Sequence, residues 1–139
     1  MKKNENYAFR LVHYALKKYP LSSLCIVIIW LLSLTPIFPE TPLDGVAFID
    51  KWTHLVMYGG TCSVIWFEYW RNHRVYDYEK LFFWGWLMPI AMSGVLELLQ
   101  AYCTGGNRNG DWLDFAANSI GATLGAVFGL LLLRLGKKK

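Results

Sequence analysis

Residues 48–60 read FIDKWTHLVMYGG, a stretch that begins like the polar start of a helix and ends like the middle of a membrane span. Asp50, His54 and Tyr58 are spaced four residues apart, so a helix places them on roughly one face. Ionisable side chains are costly inside a bilayer and commonly mark functional sites there. The stretch therefore predicts a helix that enters a membrane and needs polar partners from elsewhere in the chain.

Four apolar runs of about twenty residues each account for most of the chain. The 139 residues are 55% hydrophobic and 17% aromatic, which is too apolar for a soluble domain of this length. Each run is long enough to cross about 30 Å of hydrocarbon as a helix. The predicted spans are residues 21–38, 52–70, 81–103 and 115–135. The predicted fold is therefore an all-α membrane protein, an antiparallel bundle of four transmembrane helices.

Short polar segments flank these spans. Residues 1–19 predict an amphipathic interfacial helix on the cytoplasmic side, residues 20–136 a transmembrane domain, and residues 137–139 a basic cytoplasmic tail. The first span is interpreted as a retained helix, because it is too long for a cleaved signal and lacks a small-residue cleavage site. Pro89, inside the third span, is expected to free a backbone carbonyl and to kink the helix.

The distribution of positive charge predicts the orientation. The chain has 14 Lys and Arg residues against 10 acidic ones, a formal net charge of +4. If both termini are cytoplasmic, every Lys and Arg except Lys51 and Arg108 lies inside, as the positive-inside rule requires. The basic tails are interpreted as topology signals beside anionic headgroups, and nucleic acid is not an expected partner. Of the three cysteines only Cys103 lies near the outer boundary, so no disulfide is predicted.

With this topology, the unusual polar residues gather on the outer side of the membrane. They come from the start of the second span, the end of the third, the second outer loop and the start of the fourth. The predicted ligand-binding residues are Asp50, Lys51, His54, Tyr58, Glu97, Gln100, Arg108, Asp111, Asp114 and Asn118. A water-accessible pocket in the outer leaflet would explain this set.

Glu97 is the member of this set that most needs a partner. Ionised and alone at its depth, it would cost a few kcal/mol. It is therefore expected to pair with His54, Arg108 or Lys51, or to be protonated. The alternative to a pocket is an interhelical polar clamp that only locks the bundle.

Ordinary structural roles compete with ligand binding for several residues. Asp50 is a candidate N-cap for the second span, and Asp111 and Asp114 suit the first turn of the fourth. One His and three carboxylates could converge on a metal, but the sequence contains no HExxH motif and no paired CxxC motif, so neither a metal nor another cofactor is predicted. Ser93 lies deep in the third span and Ser119 faces away from the polar groups, so no Ser–His–Asp triad is expected.

A stripe of small residues continues the polar face of the fourth span. Asp114, Asn118, Gly121, Gly125 and Gly129 share one face of a helix. Small residues at this spacing allow close approach of transmembrane helices. The three glycines are therefore expected to pack within the bundle or across a homodimer.

Four motifs together resemble those of the VanZ-like family of small bacterial membrane proteins. They are SLTP at 33–36, DKWTHLVMYGG at 50–60, GVLELLQ at 94–100 and NRNGDWLDFAANSIGATLG at 107–125. Carried over by position, the family's motif residues are the predicted ligand-binding set with the addition of Gly121. The family is named for a protein associated with teicoplanin resistance. The resemblance implies a multi-pass protein of the bacterial plasma membrane with a role in the cell envelope, and it implies no particular reaction.

Three functions are compatible with these observations. The favoured one is binding of a lipid-linked or lipid-tailed envelope molecule, with Arg108 and Lys51 on a phosphate or carboxylate and Tyr58 and Trp112 on an apolar part. A role in teicoplanin-type glycopeptide resistance would be connected with it.

The second hypothesis is an intramembrane hydrolase or transferase acting on a lipid headgroup. His54 would serve as general acid or base, Glu97 or Asp114 would orient it, and Arg108 would stabilise negative charge. The third is a structural subunit of an envelope complex.

Overall fold

Helices make up nearly all of the chain that the structure describes. In the computed structural model the described residues are 2–35, 42, 45–106 and 109–136, with side chains described from Asn6 onward. The elements are α1 (Lys2–Lys18), α2 (Pro20–Leu34), α3 (Ile49–Asn72), α4 (Tyr78–Phe82), a π-helical turn (Phe83–Leu87), α5 (Met88–Cys103) and α6 (Trp112–Leu135). No strand occurs within these ranges, which confirms the predicted all-α class.

Two helical stretches are long and apolar enough to cross a membrane. They are Tyr78–Cys103, in which α4, the π-helical turn and α5 are continuous, and α6. A third is counted if α1 and α2 form one span, although the chain bends by 109° between them. α3 also has 24 residues but contains buried polar side chains such as His54 and Glu68. Two or three candidate spans in the described residues are compatible with a membrane protein, whereas the four-span bundle and the cytoplasmic termini stay predictions.

Pro20 explains the sharp bend between α1 and α2. It occupies the first turn of α2, where its missing N–H costs no helical hydrogen bond. A proline also disfavours the helical conformation for the residue before it, and Tyr19 has φ −131° and ψ 58°. The described side chains of α1 before Tyr19 are all exposed. The placement of this helix on the cytoplasmic membrane surface stays a prediction.

The closest helix–helix contact joins α3 to α6 through the predicted glycine stripe. A Cβ added to Gly121 would lie 2.3 Å from the Leu55 carbonyl oxygen, and one added to Gly125 would lie 2.6 Å from that of Gly59. At Gly129 the added Cβ would lie 2.3 Å from the Trp66 side chain. Packing within the bundle therefore accounts for the stripe. A homodimer through these glycines would require this contact to open, and dimerisation itself stays a prediction.

Pro89 produces a π-helical turn in the third predicted span. A proline cannot donate to the carbonyl four residues earlier, which here is Gly85, and its ring crowds that carbonyl. The chain relieves the crowding by widening into the π-helical turn at Phe83–Leu87. The Gly85 oxygen accepts a hydrogen bond of 3.1 Å from Trp66 Nε1. The sequence thus correctly predicts a carbonyl released by Pro89, and α3 supplies its new donor.

Both ends of α2 are fixed by polar side chains from neighbouring helices. At its start, the fully buried Glu68 carboxyl accepts from the backbone N–H groups of Leu21 and Ser22 at 3.1 and 2.9 Å, and from Ser22 Oγ at 2.6 Å. These N–H groups have no partner inside the helix, so a carboxylate stabilises them. At its end, Gln100 Nε2 donates to the Ser33 carbonyl oxygen at 2.7 Å. The sequence analysis did not single out Glu68.

We predict that Gly121→Ala destabilises the fold by about 1–3 kcal/mol. The new methyl group would collide with the Leu55 carbonyl, a backbone atom that cannot move without shifting α3. The measurement is thermal unfolding of the purified protein in detergent. Gly60→Ala is the matched control, because a Cβ at Gly60 meets nothing within 4 Å. Equal unfolding temperatures for the two variants would contradict the described contact.

Candidate functional site: a polar cluster shared by three helices

Lys51 holds together the start of α3 and the start of α6. Its Nζ lies 2.8 Å from Asp111 Oδ2 and 3.3 Å from Asp50 Oδ2, and it also bonds to Asp114 Oδ1. The Asp114 side chain is only 9% exposed, whereas that of Asp50 is 65% exposed. Lys51 thus compensates a buried carboxylate and reaches two more accessible ones. The cluster lies at the end of the bundle where α3 and α6 begin and α5 ends, here called the polar end.

Asp111 joins the loop after α5 to both neighbouring helices. It is the N-cap of α6, with its side chain accepting from the Leu113 N–H at 2.9 Å. Its own N–H donates to Glu97 Oε2 at 3.0 Å. The hydrogen bond from Lys51, with that from Leu113, holds the pKa of the Asp111 carboxyl below its ordinary value of 3.8. Because the Asp111 N–H donates to its carboxyl, Glu97 binds the loop backbone and not the predicted partners His54 and Lys51 among the described residues.

His54 is held by a chain of side chains that crosses the bundle. Its Nδ1 lies 3.0 Å from Asn118 Oδ1, and Asn118 Nδ2 donates to Ser93 Oγ at 2.9 Å. On the other side of the ring, Nε2 faces Asp114 Oδ2 at 3.6 Å and Asp50 Oδ1 at 3.8 Å. His54, Asn118 and Ser93 are all buried. Asn118 of α6, itself held by Ser93 of α5, thus fixes the orientation of the His54 imidazole.

Tyr58 and Gln100 lie inside the bundle, away from the exposed part of the cluster. Their exposures are 1% and 2%. Tyr58 makes a hydrogen bond with Ser93, and Gln100 binds the end of α2. The contacts that the structure shows for both are therefore structural, and ligand binding by either stays a prediction. The predicted residue Arg108 lies outside the described residues.

Ser93 belongs to the cluster, although the sequence does not predict it as a site residue. Its depth in the third predicted span argues only against a role as nucleophile. In the structure it is fully buried and connects Asn118 with Tyr58. Its spacing of four residues before Glu97 and seven before Gln100 places it on the same helix face. That spacing is the feature of the sequence that indicates a place for Ser93 beside the other polar residues.

The capping alternative is correct for one aspartate and wrong for another. Asp111 caps α6, whereas Phe48 occupies the N-cap position of α3, with φ 58°. Asp50 lies within the first turn and directs its carboxylate to Lys51 and His54. Asp114, also in a first turn, has the same two partners. Neither carboxylate is explained by capping alone.

Three of the clustered residues have the donor atoms of a metal site. Ligand atoms of Asp50, His54 and Asp114 all lie within 4.8 Å of one another. The sequence predicts no metal, because these ligands come from two helices that are far apart in the sequence. The three catalytic candidates are only partly brought together: His54 faces Asp114, while Glu97 bonds to the Asp111 backbone.

Two grooves on the described surface lie away from the polar end. One is lined by Ser119, Ile120, Thr123 and Leu124 of α6, and the other lies between the π-helical turn and α6 near Trp86. Both have predominantly apolar walls. The polar cluster is instead a packed network whose outer members, Asp50 and Asp111, are open to the surroundings.

We predict that Lys51→Met lowers the free energy of unfolding by about 1–3 kcal/mol, because it leaves the buried Asp114 carboxylate without its ammonium partner. Thermal unfolding in detergent measures the effect. Lys80→Met is the control: its pair with Asp77 is exposed on both sides, and such pairs contribute little. If the two variants unfold alike, the Lys51 bonds do not stabilise the cluster.

Comparisons of the chain with protein-family models, with characterised proteins and with solved structures give no match. The resemblance to the VanZ-like family thus rests on the four motifs alone and stays a prediction.

Proposed function

We propose that the protein is a VanZ-like, multi-pass protein of the bacterial plasma membrane that binds a lipid-linked or lipid-tailed envelope molecule at its polar end. The supporting observation is the polar cluster itself. Acidic, basic and imidazole groups from three helices meet at one end of an otherwise apolar bundle, in a graded arrangement from buried to exposed. Intramembrane ionisable groups of this kind usually serve binding or transport.

Exposed aromatic residues lie on the same helix ends as the cluster. Phe48 and Trp52 at the start of α3 are 75% and 58% exposed, and Trp112 at the start of α6 is 75% exposed. Aromatic side chains at such positions anchor a protein at the membrane interface and offer apolar contact area. A lipid tail beside them would place its headgroup next to Asp50 and Asp111.

The described charges favour a headgroup that donates hydrogen bonds. The carboxyl groups of Asp50, Asp111 and Asp114 contact the ammonium of Lys51, and the carboxyl of Glu97 accepts from the Asp111 backbone beside them. Hydroxyl and amino groups of a saccharide or glycopeptide would bind these carboxylates directly. A lipoglycopeptide of the teicoplanin type has both such groups and an acyl tail, so a role in resistance to it belongs to the same proposal.

The catalytic alternative has less support from the geometry. Both nitrogens of His54 face protein side chains, and Glu97 is turned to the Asp111 backbone. Ser93, the nearest hydroxyl in the chain of contacts, accepts from Asn118 instead of facing His54. No observation favours a purely structural subunit over binding.

The topology belongs to the same proposal: four spans, with both termini cytoplasmic and the polar end outside. α2 and α3 would complete the bundle with Tyr78–Cys103 and α6. Gln100 and Glu68 support this, because they tie α2 into the bundle at both of its ends. α3 would be tolerated in the bilayer because its polar groups face α2, α5 and α6.

We predict that a membrane-impermeant maleimide labels Cys103 in intact spheroplasts. Cys103 is exposed at the end of α5, whereas Cys62 is buried and Cys25 half-buried. Cys103→Ser should abolish the labelling. In that background, Val75→Cys, at an 84% exposed position between α3 and α4, should react only after permeabilisation. Labelling of Val75→Cys but not of Cys103 in intact spheroplasts would reverse the orientation.

We predict that the purified protein binds an acylated teicoplanin-type lipoglycopeptide at least about tenfold more tightly than the same molecule without its acyl chain. A tenfold difference in affinity corresponds to about 1.4 kcal/mol, which the burial of several methylene groups supplies. Asp50→Asn and Trp112→Ala should each weaken binding of the acylated form. Trp84→Ala is the control, since Trp84 is 60% exposed but lies in the π-helical turn, far from the polar end. Calorimetric titration gives the affinities. Equal affinity for the two forms, or no change in Asp50→Asn, would overturn the proposed binding mode.

A further inference from the structure

We propose that Asp50, His54 and Asp114 bind a divalent transition-metal cation, with Asn118 and Ser93 holding the histidine ring in place. The three ligand atoms are Asp50 Oδ1, His54 Nε2 and Asp114 Oδ2. The nitrogen lies 3.8 and 3.6 Å from the two oxygens. Ligand atoms of a tetrahedral zinc site are separated by about 3.3 Å for bonds of about 2.0–2.1 Å. The two separations from His54 therefore exceed this spacing by only a few tenths of an ångström, and the third pair of ligand atoms lies within 4.8 Å.

The orientation of His54 is the observation that separates this group from an ordinary acidic cluster. Asn118 Nδ2 donates to Ser93 Oγ, so the amide oxygen is the atom that faces His54 Nδ1. A carbonyl oxygen can only accept, so Nδ1 is the ring nitrogen that donates, and Nε2 is the nitrogen available for a metal. On a histidine only 6% exposed, Nε2 faces two carboxylate oxygens at distances beyond the hydrogen-bonding range. A cation between these three atoms would be coordinated by all of them.

Each of the three ligand side chains is also held by a further side chain of the cluster. Asp114 uses Oδ1 for Lys51 and leaves Oδ2 toward His54. Asp50 uses Oδ2 for Lys51 at 3.3 Å and leaves Oδ1 toward His54. Metal-binding histidines usually donate their other N–H to an oxygen acceptor, and bound carboxylates are themselves hydrogen-bonded. Lys51 and Asn118 fill these two roles here.

The charge balance and the accessibility also suit a cation. The described cluster contains four carboxyl groups and one ammonium, that of Lys51. A divalent cation would offset part of this excess of acidic groups. Asp50 is largely exposed, which provides an entry path and leaves coordination positions for water or for a ligand. One imidazole and two carboxylates select zinc-like cations over magnesium or calcium, which prefer oxygen ligands only.

This site goes beyond the proposed function and does not depend on it. α3 supplies Asp50 and His54 with the four-residue spacing that places two ligands on one helix face, and α6 supplies Asp114 across the glycine contact. Metal binding would occur with or without a lipid-tailed molecule. It is therefore tested with the metal alone.

The test is a titration of the chelator-treated, tag-free full chain in detergent with Zn²⁺, followed by calorimetry and zinc-edge X-ray absorption. We expect one Zn²⁺ per chain, with one imidazole and otherwise oxygen ligands, and no displacement by millimolar Mg²⁺. Asp50→Asn and His54→Gln should each weaken binding by at least about tenfold. His13→Gln and Glu79→Gln are the matched controls, because both residues are exposed and lie outside the cluster.

Several results would overturn the site. They are no binding by the natural chain, an absorption spectrum without an imidazole ligand, or equal affinity in the His54→Gln and His13→Gln variants. Asp50 is exposed, so Asp50→Asn keeps the test decisive even if the buried His54→Gln variant unfolds, and circular dichroism shows which variants retain the helices. If Zn²⁺ binds as expected while the lipoglycopeptide does not, the metal site stands and the proposed ligand is wrong. The opposite pair of results removes the metal site alone.

Discussion

The close backbone contact between α3 and α6 is the constraint on which the polar cluster depends. At Gly121 and Gly125 the two helices approach so closely that a methyl group would collide with backbone atoms of the other helix. Only this separation lets Lys51 bond to Asp111 and Asp114, and His54 to Asn118. The glycines contribute no chemistry. They set the distance at which side chains of ordinary length can form a shared network, and the network in turn replaces the hydration that its charged members lose.

At the opposite end of the bundle, a buried charged group is likewise surrounded by hydrogen-bond donors that replace its lost hydration. The fully buried Glu68 carboxyl is surrounded by N–H and hydroxyl donors at the start of α2, so its charge meets the positive end of a helix. There the carboxyl accepts from three donors of one helix turn, and Arg71 Nη2 lies 3.7 Å from Glu68 Oε1. At the polar end, three carboxyl groups share the ammonium of Lys51 among the residues that the structure describes.

The helical class, the polar residue set and the glycine stripe could be predicted because each follows from spacing along one helix. Partners could not be predicted, since they depend on how helices are rotated against each other. Glu97 illustrates this: its depth required a partner, and within the described part of the chain that partner is the Asp111 backbone N–H, which no side-chain inventory contains. Ser93 was overlooked because it was judged as a nucleophile and not as a hydrogen-bonding link. Asp50 fails as an N-cap because α3 begins at Ile49, two residues earlier than an N-cap at Asp50 would require.

The order within the cluster explains how a small bundle can combine rigidity with access. The exposed fraction of the side chains rises from Asp114 at 9% through Lys51 at 25% and Asp111 at 38% to Asp50 at 65%. The least exposed members, Asp114 and Lys51, each contact a side chain of the neighbouring helix. The free energy of orienting them is therefore contributed by folding and not by the ligand. Asp50 lies on the first turn of α3, where a small adjustment of one exposed side chain changes the geometry without disturbing the α3–α6 contact. Any ion or headgroup that binds here would therefore meet a preorganised inner wall and one adjustable carboxylate.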